Sequence, residues 1–228
     1  MIKLLEVSKK YDAQIIFDQF NLEFPKDKIT CILGESGVGK TTLLNMISGL
    51  TNYTGKIEVD GKISYIFQES RLIPTLTVKE NLKFVSQNIT DEKIEEILSQ
   101  LEILDKMDSY PTKLSGGEAQ RVSIARAFLY DASIILMDEP FSSLDLSLKY
   151  KLISYFSNLW NANKKTVLFV THDIDEAILL AEDILILKDG CISKKFHIED
   201  SLPRKLSNQE NIRKEIIQCV IEVGKNED

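Results

Sequence analysis

Cysteine is scarce in this chain: Cys31, Cys191 and Cys219 are odd in number and far apart. No CxxC or Cys/His spacing accompanies them, so neither a zinc site nor a disulfide framework is legible. Cys31 falls inside an apolar run, where a thiol behaves as a small core residue. Long hydrophobic stretches are also missing. No run approaches the ~18 apolar residues that cross a bilayer. The start, Met1-Ile2-Lys3-Leu4-Leu5-Glu6, is too short an apolar stretch for a signal peptide. A soluble protein of a reducing compartment is expected, with any membrane role exercised through a partner. Basic excess is absent as well: 28 Lys and Arg stand against 35 Asp and Glu, a net charge of −7. That argues against nucleic acid as the main partner, which calls for a basic stripe. There is no internal repeat, low-complexity tract or Gly/Ser linker to divide the chain.

What is present is an ordinary globular composition, 43% hydrophobic and 28% charged over 228 residues. That suits one large domain, or one domain with a small insert. Alternating apolar stretches at Ile2–Val7 and Ile15–Phe24 predict antiparallel strands. The continuous apolar run Ile29–Leu33 predicts a strand buried on both faces, leading into a helix over roughly Lys40–Ser48. Lys56–Val59, Asp60-Gly61 and Ile63–Phe67 together predict a hairpin. From about Val78 to Tyr130 the pattern turns helical, with Ile94, Ile97, Leu98 and Leu101 on one face. Strand signals return at Ser133–Met137, Thr166–Val170 and Ile184–Leu187. Between them Leu148, Leu152, Phe156 and Trp160 share a helical face, and Asp175–Ala181 forms a second helix. The tail, about Gln209 to Ile221, predicts an amphipathic helix. Strands alternating with helices give an α/β class with a mostly parallel sheet covered on both faces.

Gly34-Glu35-Ser36-Gly37-Val38-Gly39-Lys40-Thr41 follows a predicted strand, opens a predicted helix and satisfies G-x-x-x-x-G-K-[ST]. The glycines let backbone N–H groups curl around a triphosphate, and the helix N-terminus adds partial positive charge. Lys40 would reach the β- and γ-phosphates and the Thr41 hydroxyl would ligate Mg2+. Further on, Ile134–Met137 is an apolar strand ending in Asp138 and Glu139. Asp138 would orient Mg2+ through water. Strand alternation would send Glu139 elsewhere, as general base for the attacking water. A second glycine-bearing segment, Leu114-Ser115-Gly116-Gly117-Glu118, stands far downstream and is unreadable by itself.

In this order the motifs resemble the nucleotide-binding domain of ABC transporters, over about Met1 to Lys195. Gly34–Thr42, including Thr42, is similar to that family's Walker A. Gln68 is similar to its Q-loop glutamine, and Leu114–Arg121 to its signature motif. Ile134–Glu139 resembles Walker B, Ser142-Ser143-Leu144-Asp145 the D-loop, and Thr171-His172-Asp173 the switch-histidine loop. The resemblance implies a P-loop NTPase core with an N-terminal antiparallel β subdomain and a helical insert carrying the signature. The boundaries it implies are a core of about 1–68 and 131–200, a helical subdomain of about 69–130, and a C-terminal helix of about 207–222. It also implies ATP and Mg2+ as cofactors. Tyr11 would stack on adenine, the Gln68 carbonyl would touch Mg2+ and the water, and His172 would sense the γ-phosphate. Ser115, Gly116, Gly117 and Asp145 would act on ATP held by a second copy of the chain. Glu118 stands where glutamine is the consensus, and is expected to lie away from the phosphate. His197 is assigned no role.

By the same resemblance the partners are a second copy of the chain and integral membrane permease subunits, with an extracytoplasmic binding protein and no nucleic acid. The site of action is the cytoplasmic face of the membrane. Glu69, Arg71 and Leu72 are candidates for meeting a permease helix. The stretch Glu69–Val78 is most like ATPases of nitrate, sulfonate or taurine importers, which favours import. Export and lipoprotein-release systems carry a similar Leu-Ile-Pro-Thr-Leu-Thr run and remain the alternative. A soluble ABC ATPase would carry coiled coils or a second cassette, a non-catalytic module would not need Glu139 and His172, and a GTPase would carry Asn-Lys-x-Asp, which Asn163-Lys164-Lys165-Thr166 fails to match.

Overall fold

Residues 1–86, 88–142 and 144–224 are described by a computed structural model. Five parallel strands and one antiparallel edge strand form the main sheet. Its order is β5 (Ile63–Ile66), β6 (Ile134–Asp138), β7 (Thr166–Thr171), β3 (Ile29–Leu33), β8 (Asp183–Lys188) and β9 (Cys191–His197). The central strands β3, β6 and β7 are buried at every residue. Alternation divides their side chains between two cores. Cys31, Leu33, Ile135, Met137, Val167 and Phe169 face one. Ile32, Ile134, Leu136, Leu168 and Val170 face the other. That is why these strands read as continuous apolar runs.

A separate three-stranded antiparallel sheet, β2-β1-β4, is built from β1 (Ile2–Tyr11), β2 (Gln14–Phe24) and β4 (Thr54–Val59). It packs through Ile2, Leu4, Phe17 and Phe24 onto α1 (Lys40–Ile47) and the second core. The hairpin expected from Lys56 to Phe67 does not form. β4 pairs instead with β1, Ile2 opposite Val59, while β5 pairs in parallel with β6. Apolar spacing sets a strand's faces but not its neighbour, and here the Asp60-Gly61 turn carries the chain between sheets.

The middle segment folds as α2 (Val78–Lys83), α3 (Asp91–Gln100) and α4 (Gly116–Leu129). Thr77, Thr90 and Ser115 cap these helices by accepting backbone N–H groups, Thr77 and Ser115 as capping boxes with Glu80 and Glu118. Ile94, Ile97, Leu98 and Leu101 are buried, as their spacing predicts. α5 (Leu146–Ala162) and α6 (Ile174–Leu180) cover the first core, with Leu152, Phe156 and Trp160 inside and Leu148 only half-buried at the helix start. β9 has no counterpart in the sequence reading. It is a lysine-bearing edge strand with one buried residue, Phe196, so it shows no apolar alternation. α7 (Glu210–Gly224) docks on α6 through the fully buried Ile216. Before it, the Arg204 guanidinium donates to the carbonyls of Ile178, Ala181, Ile198 and Asp200 and secures the polar approach to that helix.

Candidate functional site

The loop from Gly34 to Gly39 joins β3 to α1. Gly39 caps the helix at φ 106°, a left-handed backbone that glycine adopts without strain, and a Cβ there would lie 2.6 Å from the Ile16 side chain. α1 has no acidic residue in its first turn, so the positive end of its dipole is uncompensated. Lys40, only 5% exposed, folds back over the loop and donates to the carbonyls of Gly34 (2.8 Å) and Glu35 (2.7 Å). Burial pulls its pKa down, against the attraction of Glu139, Cys31 and Asp138. Ser36, Gly37, Gly39, Lys40, Thr41, Thr42 and Glu139 line a cavity of about 170 Å³. Val38 packs against the second core, holding the loop to it. Tyr11 is the last residue of β1, half exposed; contact of its hydroxyl with Thr51, and more weakly with Thr42, holds its pKa below the ordinary phenol value.

The acidic side of the site comes from the end of β6. Asp138 is 9% exposed, and its Oδ1 accepts from the Thr41 hydroxyl at 2.8 Å. Burial raises its pKa, partly offset by that hydrogen bond. A buried carboxylate beside a hydroxyl, at the foot of a phosphate-type loop, is an all-oxygen donor set that fits Mg2+. Glu139 corrects the sequence reading. It does not leave the strand by simple alternation, because its own φ is +42°, left-handed, while its N–H still donates to Val170 O at 3.0 Å. This turn, not strand alternation, carries the carboxylate to His172, whose Nδ1 lies 3.1 Å from Glu139 Oε1. Gln68 donates its amide to Ser142 Oγ (3.3 Å), and Ser142 in turn donates to Glu139 O (3.0 Å). It is therefore the Gln68 nitrogen, not its carbonyl, that is tied to the Glu139 turn.

Ser115, Gly116 and Gly117 start α4 and do not line the cavity. Ser115 and Gly116 are exposed, and nothing lies within 4 Å of a Cβ placed on Gly116. Gly117 is close-packed: a Cβ there would sit 2.2 Å from Leu148 Cδ2 of α5. Glu118 is more engaged than its sequence expectation. One oxygen, Oε2, accepts both the Ser115 N–H (2.8 Å) and the Ser115 hydroxyl (2.9 Å), with Lys106 3.7 Å from the other oxygen. Asp145 caps its own helix, accepting from Leu148 N at 3.0 Å. Ser143 of the same segment lies outside the described residues. Near Gln68, Glu69 and Arg71 are exposed and Leu72 leans on the first core, with the Arg71 guanidinium 3.8 Å over the Phe67 ring.

Several residues that the sequence reading passed over hold these parts together. Gln120 of α4, buried, donates to Pro140 O at 2.8 Å. Arg126 donates to the carbonyls of Ser70 and Arg71, both at 3.1 Å. Lys149 of α5 pairs with Asp173 and Glu176. Gln120 lies within the Leu114–Arg121 stretch but has no role of its own in the sequence reading, and Arg126 and Lys149 belong to no contiguous motif. The partners of all three are distant in sequence, so no local signal marks these links. His197, given no role, pairs with Asp183 at 2.7 Å and closes the β8–β9 edge.

With this geometry in place, the chain is similar to known proteins over nearly its whole length. The aliphatic sulfonates import ATP-binding protein SsuB of Bacillus cereus is 37% identical, covering 95% of this chain and 94% of its own. A protein of the same description from Paracoccus denitrificans is 33% identical over 96% and 93%. Among solved structures, a dimeric ATP-binding cassette in a post-hydrolysis state with ADP and Pi superposes with a TM-score of 0.76 at 32% identity, covering 88% of this chain and all of that one. The family profile described as ABC transporter matches residues 17–142, and the chain belongs to that family.

Proposed function

We propose that this chain is the ATP-hydrolysing subunit of an ABC importer, working as a head-to-tail pair on the cytoplasmic side of its permease. The observation that carries this is a site divided in two. The cavity at the phosphate loop holds Lys40, Thr41 and Glu139, while the exposed, glycine-bearing start of α4 lies outside it. A second copy turned end for end would bring its Ser115–Gly117 to that cavity and its Asp145 beside it.

In this scheme Tyr11 stacks on adenine. The loop amides of Gly34, Glu35, Ser36, Gly37, Val38 and Gly39 cradle the phosphates with Lys40, and Thr41 and Thr42 close the cradle at the helix start. Thr41, Asp138 and the Gln68 carbonyl would hold Mg2+. When bound, that ion supplies charge neutralisation to the phosphate oxygens. Glu139 takes the proton of the attacking water, and His172 orients the γ-phosphate from the opposite side of the same carboxylate. Binding energy shared across two chains favours the closed pair with ATP and releases it after hydrolysis.

The division into a core (about 1–68 and 131–200), a helical subdomain (about 69–130) and a C-terminal helix (about 207–222) belongs to the same proposal. The helical part and the Gln68 loop, with Glu69, Arg71 and Leu72, would meet the permease. An extracytoplasmic binding protein would deliver the cargo, for which the relatives' names point to a small organosulfonate. The test is Glu139→Gln. It is expected to cut hydrolysis by at least about a hundredfold and to trap an ATP-dependent dimer in size-exclusion chromatography. A variant that stays monomeric at saturating ATP overturns the shared site.

A further inference from the structure

The His172 ring meets Glu139 Oε1 through Nδ1 at 3.1 Å, and its backbone is held by the residues on either side. The imidazole is half exposed, with its side chain 53% accessible. On one side stands Thr171, 1% exposed, whose hydroxyl donates to Glu176 Oε2 at 2.7 Å and accepts the Asp173 N–H at 3.0 Å. On the other stands Asp173. Its Oδ1 caps α6 by accepting from Asp175 N (2.8 Å) and Glu176 N (3.2 Å). The free oxygens of this arrangement converge on one cation. Lys149 Nζ lies 2.7 Å from Asp173 Oδ2 and 2.7 Å from Glu176 Oε1. Glu176 is 1% exposed and Lys149 is mostly covered, while Asp173 keeps 31% of its side chain accessible. Without Lys149, two like charges would face each other across the anchor of the loop, and the N-cap and the threonine link would both be disturbed.

Lys149 belongs to a different element from His172. It lies one turn into α5, its N–H bonded to the carbonyl of Asp145, and its neighbour Leu148 touches Gly117. Asp145 and the start of α4 are the parts that would face a second protomer.

We propose that Lys149 is a positioning residue for hydrolysis: its double ion pair with Asp173 and Glu176 sets the backbone on both sides of His172 and so fixes where the imidazole meets Glu139. This rests on the role of His172 proposed above. In the scheme above ATP is held mainly by the phosphate loop and Tyr11, whereas the ion pairs of Lys149 run to Asp173 and Glu176. Its loss therefore acts on turnover and spares affinity.

The experiment compares Lys149→Met, Lys149→Arg and His172→Ala in the full-length chain, measuring kcat, KM for ATP and affinity for a non-hydrolysable ATP analogue. Lys149→Met is expected to lower kcat by about ten- to a hundredfold, the scale of an ångström-sized misplacement, with KM and analogue affinity within about twofold. Lys149→Arg is expected to restore most of kcat, because a guanidinium can bridge two carboxylates. Should Lys149→Met fail to fold by circular dichroism, Thr171→Val breaks the same anchor and is expected to give the same split. A wild-type kcat in the folded Lys149→Met or Thr171→Val chain, with His172→Ala inactive, overturns the role of Lys149 alone. So does a parallel loss of kcat and analogue affinity. Normal hydrolysis by His172→Ala overturns the His172 assignment and the Lys149 role with it.

Discussion

A left-handed backbone at Glu139, φ +42°, is unusual for a residue with a side chain, and it occurs where the chain leaves β6 for the site. Asp138 and Glu139 are adjacent in sequence, yet one is buried against Thr41 and the other reaches His172, 33 residues away. Residue types and local spacing made Lys40, Thr41 and Asp138 legible. The Glu139–His172 contact was not, since only parallel pairing of β6 with β7 brings the two strand ends together. Glu118 is a second case. Its carboxylate accepts the Ser115 hydroxyl at 2.9 Å, so that proton is engaged within the first turn of α4. Glu118→Gln is expected to tighten the ATP-dependent dimer by about fivefold, equivalent to ~1 kcal/mol for one hydrogen bond redirected, as read from the protein concentration needed for dimerisation. The Ser115 N–H, then its hydroxyl, lower the Glu118 pKa. A depressed carboxylate stabilises the fold above its unfolded pKa and loses that contribution as pH falls through the folded value. Acid unfolding of the glutamine variant should lack this component.

At the scale of elements, α4 and α5 carry the connections. α4 offers Ser115 and Gly116 at one end, reaches Pro140 through Gln120, and holds the carbonyls of Ser70 and Arg71 through Arg126. Arg126 thus ties the chain just after Gln68 directly to α4. α5 packs Phe156, fully buried, edge-on to Phe128 of α4 at 5.2 Å between ring centroids. Phe156→Ala is expected to destabilise the chain by about 3–5 kcal/mol, seen as a lower urea midpoint with an unchanged slope. Apolar periodicity made α5 readable in sequence. The links from Gln120, Arg126 and Lys149 were not, because each is a polar side chain reaching a distant backbone or carboxylate.

For the whole molecule, two sheets of different character share one core layer, and among the described residues no helix is long and apolar enough to cross a membrane. A composite site makes a prediction no single chain can satisfy. Lys40→Ala disables the phosphate loop and Ser115→Arg disables the signature, so neither variant should hydrolyse ATP alone. In the head-to-tail pair proposed above, the intact loop of one variant would face the intact Ser115–Gly117 segment of the other. Mixing the two is therefore expected to recover measurable phosphate release. Silence on mixing would mean that each chain completes its own site.

The sequence by itself determined the phosphate loop and the buried strands, because each depends on residues within a turn or two of one another. Tertiary structure alone decided that β4 leaves β5 for β1, that Glu139 turns left-handed toward His172, and that Lys149 gathers both flanks of that histidine. The physical reason is the same in each case. Periodicity and local hydrogen bonding specify faces and ends, whereas the choice of partner is made when distant strands and helices compete to bury the same surface.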